Sequence, residues 1–127
     1  GEYSDAADAF TDDYRRGVAL YRAGRYTDAA ESFARVEREE VKADALYNLG
    51  NTRYKRTDFQ GAVDAYTESL ELSPKNEDAQ HNLALAKKML EQTQDEEIQE
   101  EETQEEEKQE EEEKQEEQES EESSGEE

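Results

Sequence analysis

The sequence predicts an all-α protein: an α–α superhelix of two helix pairs plus a closing helix, followed by a disordered acidic tail. Three observations carry this. The chain repeats itself at a constant offset, with Gly17 matching Gly50, Tyr21 matching Tyr54, Tyr26 matching Phe59, Ala29 matching Ala62 and Phe33 matching Tyr66. A fixed period in the low thirties is the mark of a helical solenoid. The apolar residues between Tyr14 and Leu90 recur at helical spacing, broken by turn residues. Charge then divides the 127 residues sharply: Gly1 to Leu90 holds 13 basic and 17 acidic residues, whereas Glu91 to Glu127 holds 2 basic and 21 acidic. The net charge of −23 therefore belongs mostly to the tail.

The elements follow in order. Tyr14, Val18, Leu20 and Tyr21 mark a first helix over about Asp8–Ala23, which Gly24 can end in the left-handed conformation. Thr27 is expected to cap a second, Thr27–Glu39, carrying Ala29, Ala30, Phe33 and Val36, with Asp28 and Glu31 complementing its dipole. A third runs over Ala43–Arg56 and a fourth over Gln60–Leu72, stopped by Pro74, which cannot continue a helix. Asn76 caps the fifth, Glu77–Gln92, whose apolar residues Leu83, Leu85, Ala86, Met89 and Leu90 end where the acidic run begins. The organisation read from this is a lead-in over 1–9, a helical domain over 10–92 (repeats about 10–42 and 43–76, closing helix 77–92) and a tail over 93–127.

Two small residues inform the packing. A glycine in mid-helix costs ~1 kcal/mol relative to alanine, so Gly17 and Gly50 in the same register point to a close approach of paired helices.

The tail has nothing after Ile98 that could enter a core, so it cannot offset the entropy of ordering. Its Glu, Gln and Lys favour helix, which allows the fifth helix to extend and fray, while like charges at i, i+4 (Glu101 with Glu105, Glu102 with Glu106) oppose this. A polyanion of this kind repels nucleic acid and anionic membrane surfaces. No apolar run approaches the ~20 residues of a membrane span, and no stretch reads as a signal peptide. With no cysteine, disulfides and thiol chemistry are excluded. GxSxG, phosphate-loop and HExxH signatures are absent, His81 reads as a solvated or groove-lining residue, and no metal or cofactor is implied.

The residues just quoted resemble the tetratricopeptide repeat. The second unit, ADALYNLGNTRYKRTDFQGAVDAYTESLELSPKN, places Leu46, Leu49, Gly50, Tyr54, Phe59, Ala62, Tyr66, Leu70, Leu72 and Pro74 where that family has them. The first keeps Gly17, Tyr21, Gly24, Tyr26, Ala29 and Phe33 but lacks the closing proline, and Thr57 stands where the family prefers the glycine found at Gly24. More narrowly, NLGNTRYKRTDFQGAVDAYTESLELSPKNEDAQHNLALAKKMLEQ with its Gln/Glu-rich continuation looks like the repeat proteins of bacterial aerotolerance (Bat) operons. Those are envelope-associated and extracytoplasmic. That resemblance implies a periplasmic setting, and the repeat alone a cytoplasmic one.

The repeat resemblance implies a concave groove lined by the first helix of each pair. Carried over position by position, the groove comprises Tyr14, Val18, Tyr21 and Arg22; Tyr47, Asn51, Tyr54 and Lys55; and His81, Asn82, Leu85 and Lys88. Tyr14 and Tyr21 are seven apart, as are Tyr47 and Tyr54, so each pair shares a helical face. Tyr14 and Tyr47 are assigned to the groove. For Tyr21 and Tyr54 two readings stand, groove wall or ordinary interhelical core. Tyrosines beside basic residues suit an extended peptide, and Asn51 and Asn82 can hydrogen-bond its main chain. Those two asparagines match the pair with which some relatives clamp the carboxylate of chaperone tails, but Tyr47 replaces a clamp lysine and no further repeat supplies the remaining cations.

The expected function is protein–protein interaction without catalysis, with a protein or peptide partner, no nucleic acid and no membrane insertion. Solenoids usually need about three units for stability, so two and a half leave room for a weak homodimer. The rival readings are accordingly a self-associating structural module, or a solubilising, chaperone-like protein acting through its acidic tail.

Overall fold

The computed structural model describes residues 12–125, which form five α-helices: α1 (Asp13–Arg22), α2 (Tyr26–Ala34), α3 (Glu39–Lys55), α4 (Phe59–Leu72) and α5 (Glu77–Gly125). The first helix was expected from Asp8. Residues 8–11 lie outside those described, and α1 is capped at Asp12, whose Oδ1 accepts from the Tyr14 and Arg15 amides at 2.9 and 3.2 Å. Two compact units divide at Leu90 and Glu91, and the candidate site lies wholly in the first.

The two helix pairs repeat each other in detail. Gly24, at φ 77°, closes α1: its amide donates to the Tyr21 carbonyl at 3.0 Å and the Arg25 amide to that of Leu20 at 2.9 Å. Thr57, at φ 60°, closes α3 with the same two bonds, Thr57 to Tyr54 and Asp58 to Arg53, both 2.9 Å. The chain re-enters a helix at once after each turn. Thr27 is therefore already inside α2, and the capping position falls on Arg25, whose side chain makes no cap bond but pairs with Asp28 at 2.9 Å. In the second unit Asp58 caps α4 through its Oδ1 and the Gly61 amide at 3.0 Å.

The close approaches foreseen at the glycines are present. A Cβ on Gly17 would lie 2.6 Å from the Phe33 ring, and one on Gly50 would lie 2.5 Å from the Tyr66 ring. Both rings are buried, at 2% and 1% exposure. Around Phe33 the core gathers Leu20, Ala29, Ala45, Leu49 and Ala65; around Tyr66 it gathers Ala62 and Ala86. Alanine at the crossings lets helices approach closely enough to bury aromatic area, which carries most of the transfer free energy.

The connection between the second and third helices differs from expectation. α2 stops at Ala34 and α3 begins at Glu39, rather than at Glu39 and Ala43. Val36 turns back into the core at 8% exposure, and Arg38 pairs with Asp12 at 2.8 Å, holding the connection extended. Glu39 and Glu40 then sit in the first turn of α3, where carboxylates favour the helix dipole.

The expected cap at Asn76 is in place, its Oδ1 accepting from the Ala79 amide at 3.1 Å. Where disorder is expected beyond 93, the structure carries α5 on to Gly125. Every side chain from 94 to 125 is exposed, so this stretch relies on helix propensity rather than on burial. Among the described residues no helix is long and apolar enough to cross a membrane.

Candidate functional site

Helices α1, α3, α4 and α5 line an open cavity of about 240 Å³, bounded by Tyr21, Asn51, Tyr54, Lys55, Tyr66, Asn82 and Leu85. Six of these belong to the set carried over from the sequence; Tyr66 is the addition. The helical repeat explains the grouping. Asn51, Tyr54 and Lys55 lie three and four residues apart on one face of α3, and Asn82 and Leu85 share a face of α5.

Tyr21 and Tyr54 are wall residues and packing residues at once. Their rings meet Tyr26 and Phe59 edge to face, each pair at 5.3 Å between centroids, with interplanar angles of 68° and 71°. Each ring thereby braces a helix turn while part of it stays open to the cavity. Tyr14 and Tyr47, assigned to the groove, do not line this cavity. Tyr14 lies edge-on to Phe33 at 6.1 Å and its hydroxyl accepts from Asn48 Nδ2 at 3.3 Å. Tyr47 tilts over Tyr66 at 6.0 Å and its hydroxyl accepts from Asn82 Nδ2 at 3.3 Å. Both therefore join neighbouring helices. Val18 packs against the core around Phe33, while Arg22, His81 and Lys88 are exposed and outside the cavity lining.

A polar network ties the cavity floor. Asn51 Oδ1 accepts from the Tyr66 hydroxyl at 2.5 Å and from Asn82 Nδ2 at 3.1 Å, using both lone pairs. Asn82 Nδ2 spends both hydrogens, one on Asn51 and one on Tyr47. Among the described residues this leaves Asn51 Nδ2 and Asn82 Oδ1 as the unspent donor and acceptor of the pair. Burial, with the nearby Tyr47, Tyr21 and Tyr54 hydroxyls adding to it, pushes the Tyr66 phenol well above its ordinary range. It is a fixed hydrogen-bond donor at neutral pH.

Sequence reasoning missed Tyr66 and Asn48. Tyr66 reads as core because it shares a register with Phe33, which has no hydroxyl to betray a polar role. Asn48 carries a weak signal, since another asparagine, Asn82, follows it close to one repeat length later. Of the two aliphatic residues carried over to the groove, Leu85 is 41% exposed, whereas Val18 packs against the core. Among the described residues no group of three or more His, Cys, Asp or Glu is placed to hold a metal ion.

Comparison with known proteins agrees with this architecture. The Photosystem I assembly protein Ycf3 of Synechococcus elongatus is 30% identical to this chain over 87 residues, covering 65% of this chain and 50% of that protein. The protein of the same name from a second Synechococcus strain matches to the same extent. The chain thus spans about half the length of these curated relatives. Residues 14–77 match the family pattern described as tetratricopeptide repeat. With that match covering half of its length, the chain belongs to the tetratricopeptide repeat family.

Proposed function

We propose that this chain is a protein–protein interaction module that holds an extended segment of a partner protein across α1, α3 and the start of α5. The observation that carries the reading is the convergence of Tyr21, Asn51, Tyr54, Lys55, Asn82 and Leu85, from three helices far apart in sequence, on one open cavity. Rigid rings supply contact area at low entropic cost, and Asn51 Nδ2 and Asn82 Oδ1 supply a donor and an acceptor for a main chain. The repeat family supports a binding role without a catalytic step. The relatives are named for assembly of a complex, which favours a scaffold or assembly role here, and we take a bacterial envelope complex as the setting from the sequence's own likeness to the Bat repeat proteins. The reading includes no nucleic-acid ligand, because the chain is acidic overall.

A second reading, self-association, draws on Leu72, which is 57% exposed, and Leu85. A photo-crosslinking residue at Leu85, compared with one at the exposed Thr67 of α4, separates the two. Crosslinks from Leu85 to an extended segment of another protein support the peptide-binding reading. Crosslinks from Leu85 to a second copy, with a dimer in sedimentation, transfer the surface to self-association. Equal yields from both positions remove the groove from either role.

A further inference from the structure

We infer that the cavity takes one aromatic side chain of the partner segment, next to a carboxylate that pairs with Lys55, so that the recognised element is an internal aromatic–acidic pair and not a free chain terminus. This rests on the groove reading above and specifies its ligand.

The shape comes first. A cavity of about 150 Å³ admits benzene, so the space of about 240 Å³ here admits one phenyl or phenol ring. The walls are of matching chemistry. Tyr21 and Tyr54 present ring surface, which prefers another ring in edge-to-face or offset contact, the buried Tyr66 closes the floor, and Leu85 leaves 41% of its surface in water. Covering Leu85 is favourable for any apolar guest, and the rings of Tyr21 and Tyr54 favour an aromatic one.

The polar groups argue against a terminal carboxylate as the guest. A terminal carboxylate needs several free donors, yet both hydrogens of Asn82 Nδ2 are already given to Asn51 and Tyr47. The Tyr66 hydroxyl is given to Asn51 at 2.5 Å. What remains inside is the Asn51 Nδ2 amide beside the Asn82 Oδ1 carbonyl, with the Lys55 ammonium at the rim. An acceptor next to the donor disfavours a carboxylate there and complements the C=O and N–H of an internal peptide unit. Charge fixes the neighbour: among the described lining residues Lys55 alone is charged, and it is exposed at the rim. A carboxylate adjacent to the buried ring reaches it, whereas a cation there is repelled.

The test is selection from a random ten-residue library, displayed between two flanking domains so that no peptide has a free end, against the full-length chain and its Leu85→Glu and Lys55→Glu variants. Leu85 and Lys55 are both exposed, and circular dichroism of each variant verifies that it is folded. The expected result is enrichment of Phe or Tyr beside Asp or Glu. A capped peptide containing Phe-Glu is expected to bind at least tenfold more tightly than its Ala-Glu and Phe-Lys counterparts. Lys55→Glu is expected to reverse the preference towards Phe-Lys, a change that general destabilisation cannot produce. Enrichment of other sequences that is lost with Leu85→Glu overturns this inference but keeps the groove as a peptide site. Absence of any Leu85-dependent peptide overturns both.

Discussion

Asn82 donates to the hydroxyl of Tyr47 at 3.3 Å, and one unit earlier Asn48 donates to the hydroxyl of Tyr14, also at 3.3 Å. The first helix of each unit is thus tied to the first helix of the next by a tyrosine and an asparagine roughly one repeat apart in sequence. In a solenoid, stability is the sum of such nearest-neighbour interfaces and the intrinsic terms of each unit. With so few units, each interface weighs heavily.

The Asn82–Tyr47 tie is expected to be measurable as a coupling. Asn82→Ala removes bonds to Tyr47 and Asn51 and is expected to cost ~1–2 kcal/mol, since partly buried hydrogen bonds contribute about 1 kcal/mol each. Tyr47→Phe removes the shared acceptor. A double-mutant cycle in urea is expected to give a coupling of ~0.5–1 kcal/mol. Strict additivity would show that the Asn82–Tyr47 contact contributes nothing.

Gly50 is held in place by the Tyr66 ring. Alanine there gains ~1 kcal/mol of helix propensity. Its methyl, however, lies 2.5 Å from a ring that is 1% exposed, and overpacking of this kind costs up to ~3 kcal/mol. The net expectation is a loss of ~2 kcal/mol for Gly50→Ala, read from the denaturation midpoint. A stabilised variant would mean that α3 and α4 can separate at no cost.

Thr57 is a strained residue that a single change can relieve. It occupies φ 60° where its counterpart Gly24 occupies φ 77°. The left-handed region costs an L-residue ~1–2 kcal/mol, with β-branched side chains the most penalised. Glycine gives back ~0.4–1 kcal/mol through the greater freedom of the unfolded chain. Thr57→Gly is therefore expected to stabilise by ~1 kcal/mol, a rise of several degrees in Tm for a domain of this size. Thr57→Val, which keeps the branching and loses the Thr57 Oγ1 bond to the Arg56 carbonyl, is expected to fall below the parent. Thr57→Gly without a gain would place the strain elsewhere.

These sites show what was legible beforehand. The helix pairs, the glycine contacts and the stops at Gly24 and Pro74 follow from local chemistry, most of it recurring from one unit to the next. The end of α2 does not, because no Gly or Pro follows Ala34. Burial of Val36 and the Arg38–Asp12 pair set that boundary, and both are tertiary. Most of the cavity lining was legible because helical spacing puts Asn51, Tyr54 and Lys55 on one face. The role of Tyr66 was not, since its hydroxyl reaches Asn51 only because Gly50 lets α4 approach α3 so closely.

Residues 94–125 bury nothing, so their helix is expected to respond to charge rather than to the core. Glu101 and Glu102 repel Glu105 and Glu106 one turn on, and added salt screens that repulsion. Ellipticity from this stretch is expected to melt gradually at low salt and at higher temperature in high salt. Its amides are expected to exchange far faster than those of α1 to α4. Slow exchange throughout 94–125 at neutral pH would show stabilising contacts that exposure does not suggest.

Tyr66 supplies a pH dependence whose sign can be worked out. Burial raises its folded pKa above the ordinary 10.0, so the folded state holds the phenol proton more tightly than the unfolded chain does. Below pH 10 both states are protonated and stability is unaffected. As pH rises above 10 the unfolded chain loses this proton first, and stability falls by up to ~1.4 kcal/mol per pH unit from this group. Tyr66→Phe removes the titrating group together with the 2.5 Å bond to Asn51. It is therefore expected to be ~1 kcal/mol less stable than the parent at pH 8, through the lost bond. Between pH 10 and 11.5 its stability is expected to decline less steeply, so the two curves converge. Urea denaturation at half-unit pH steps decides the matter: parallel curves across that interval would mean that Tyr66 ionises as freely folded as unfolded.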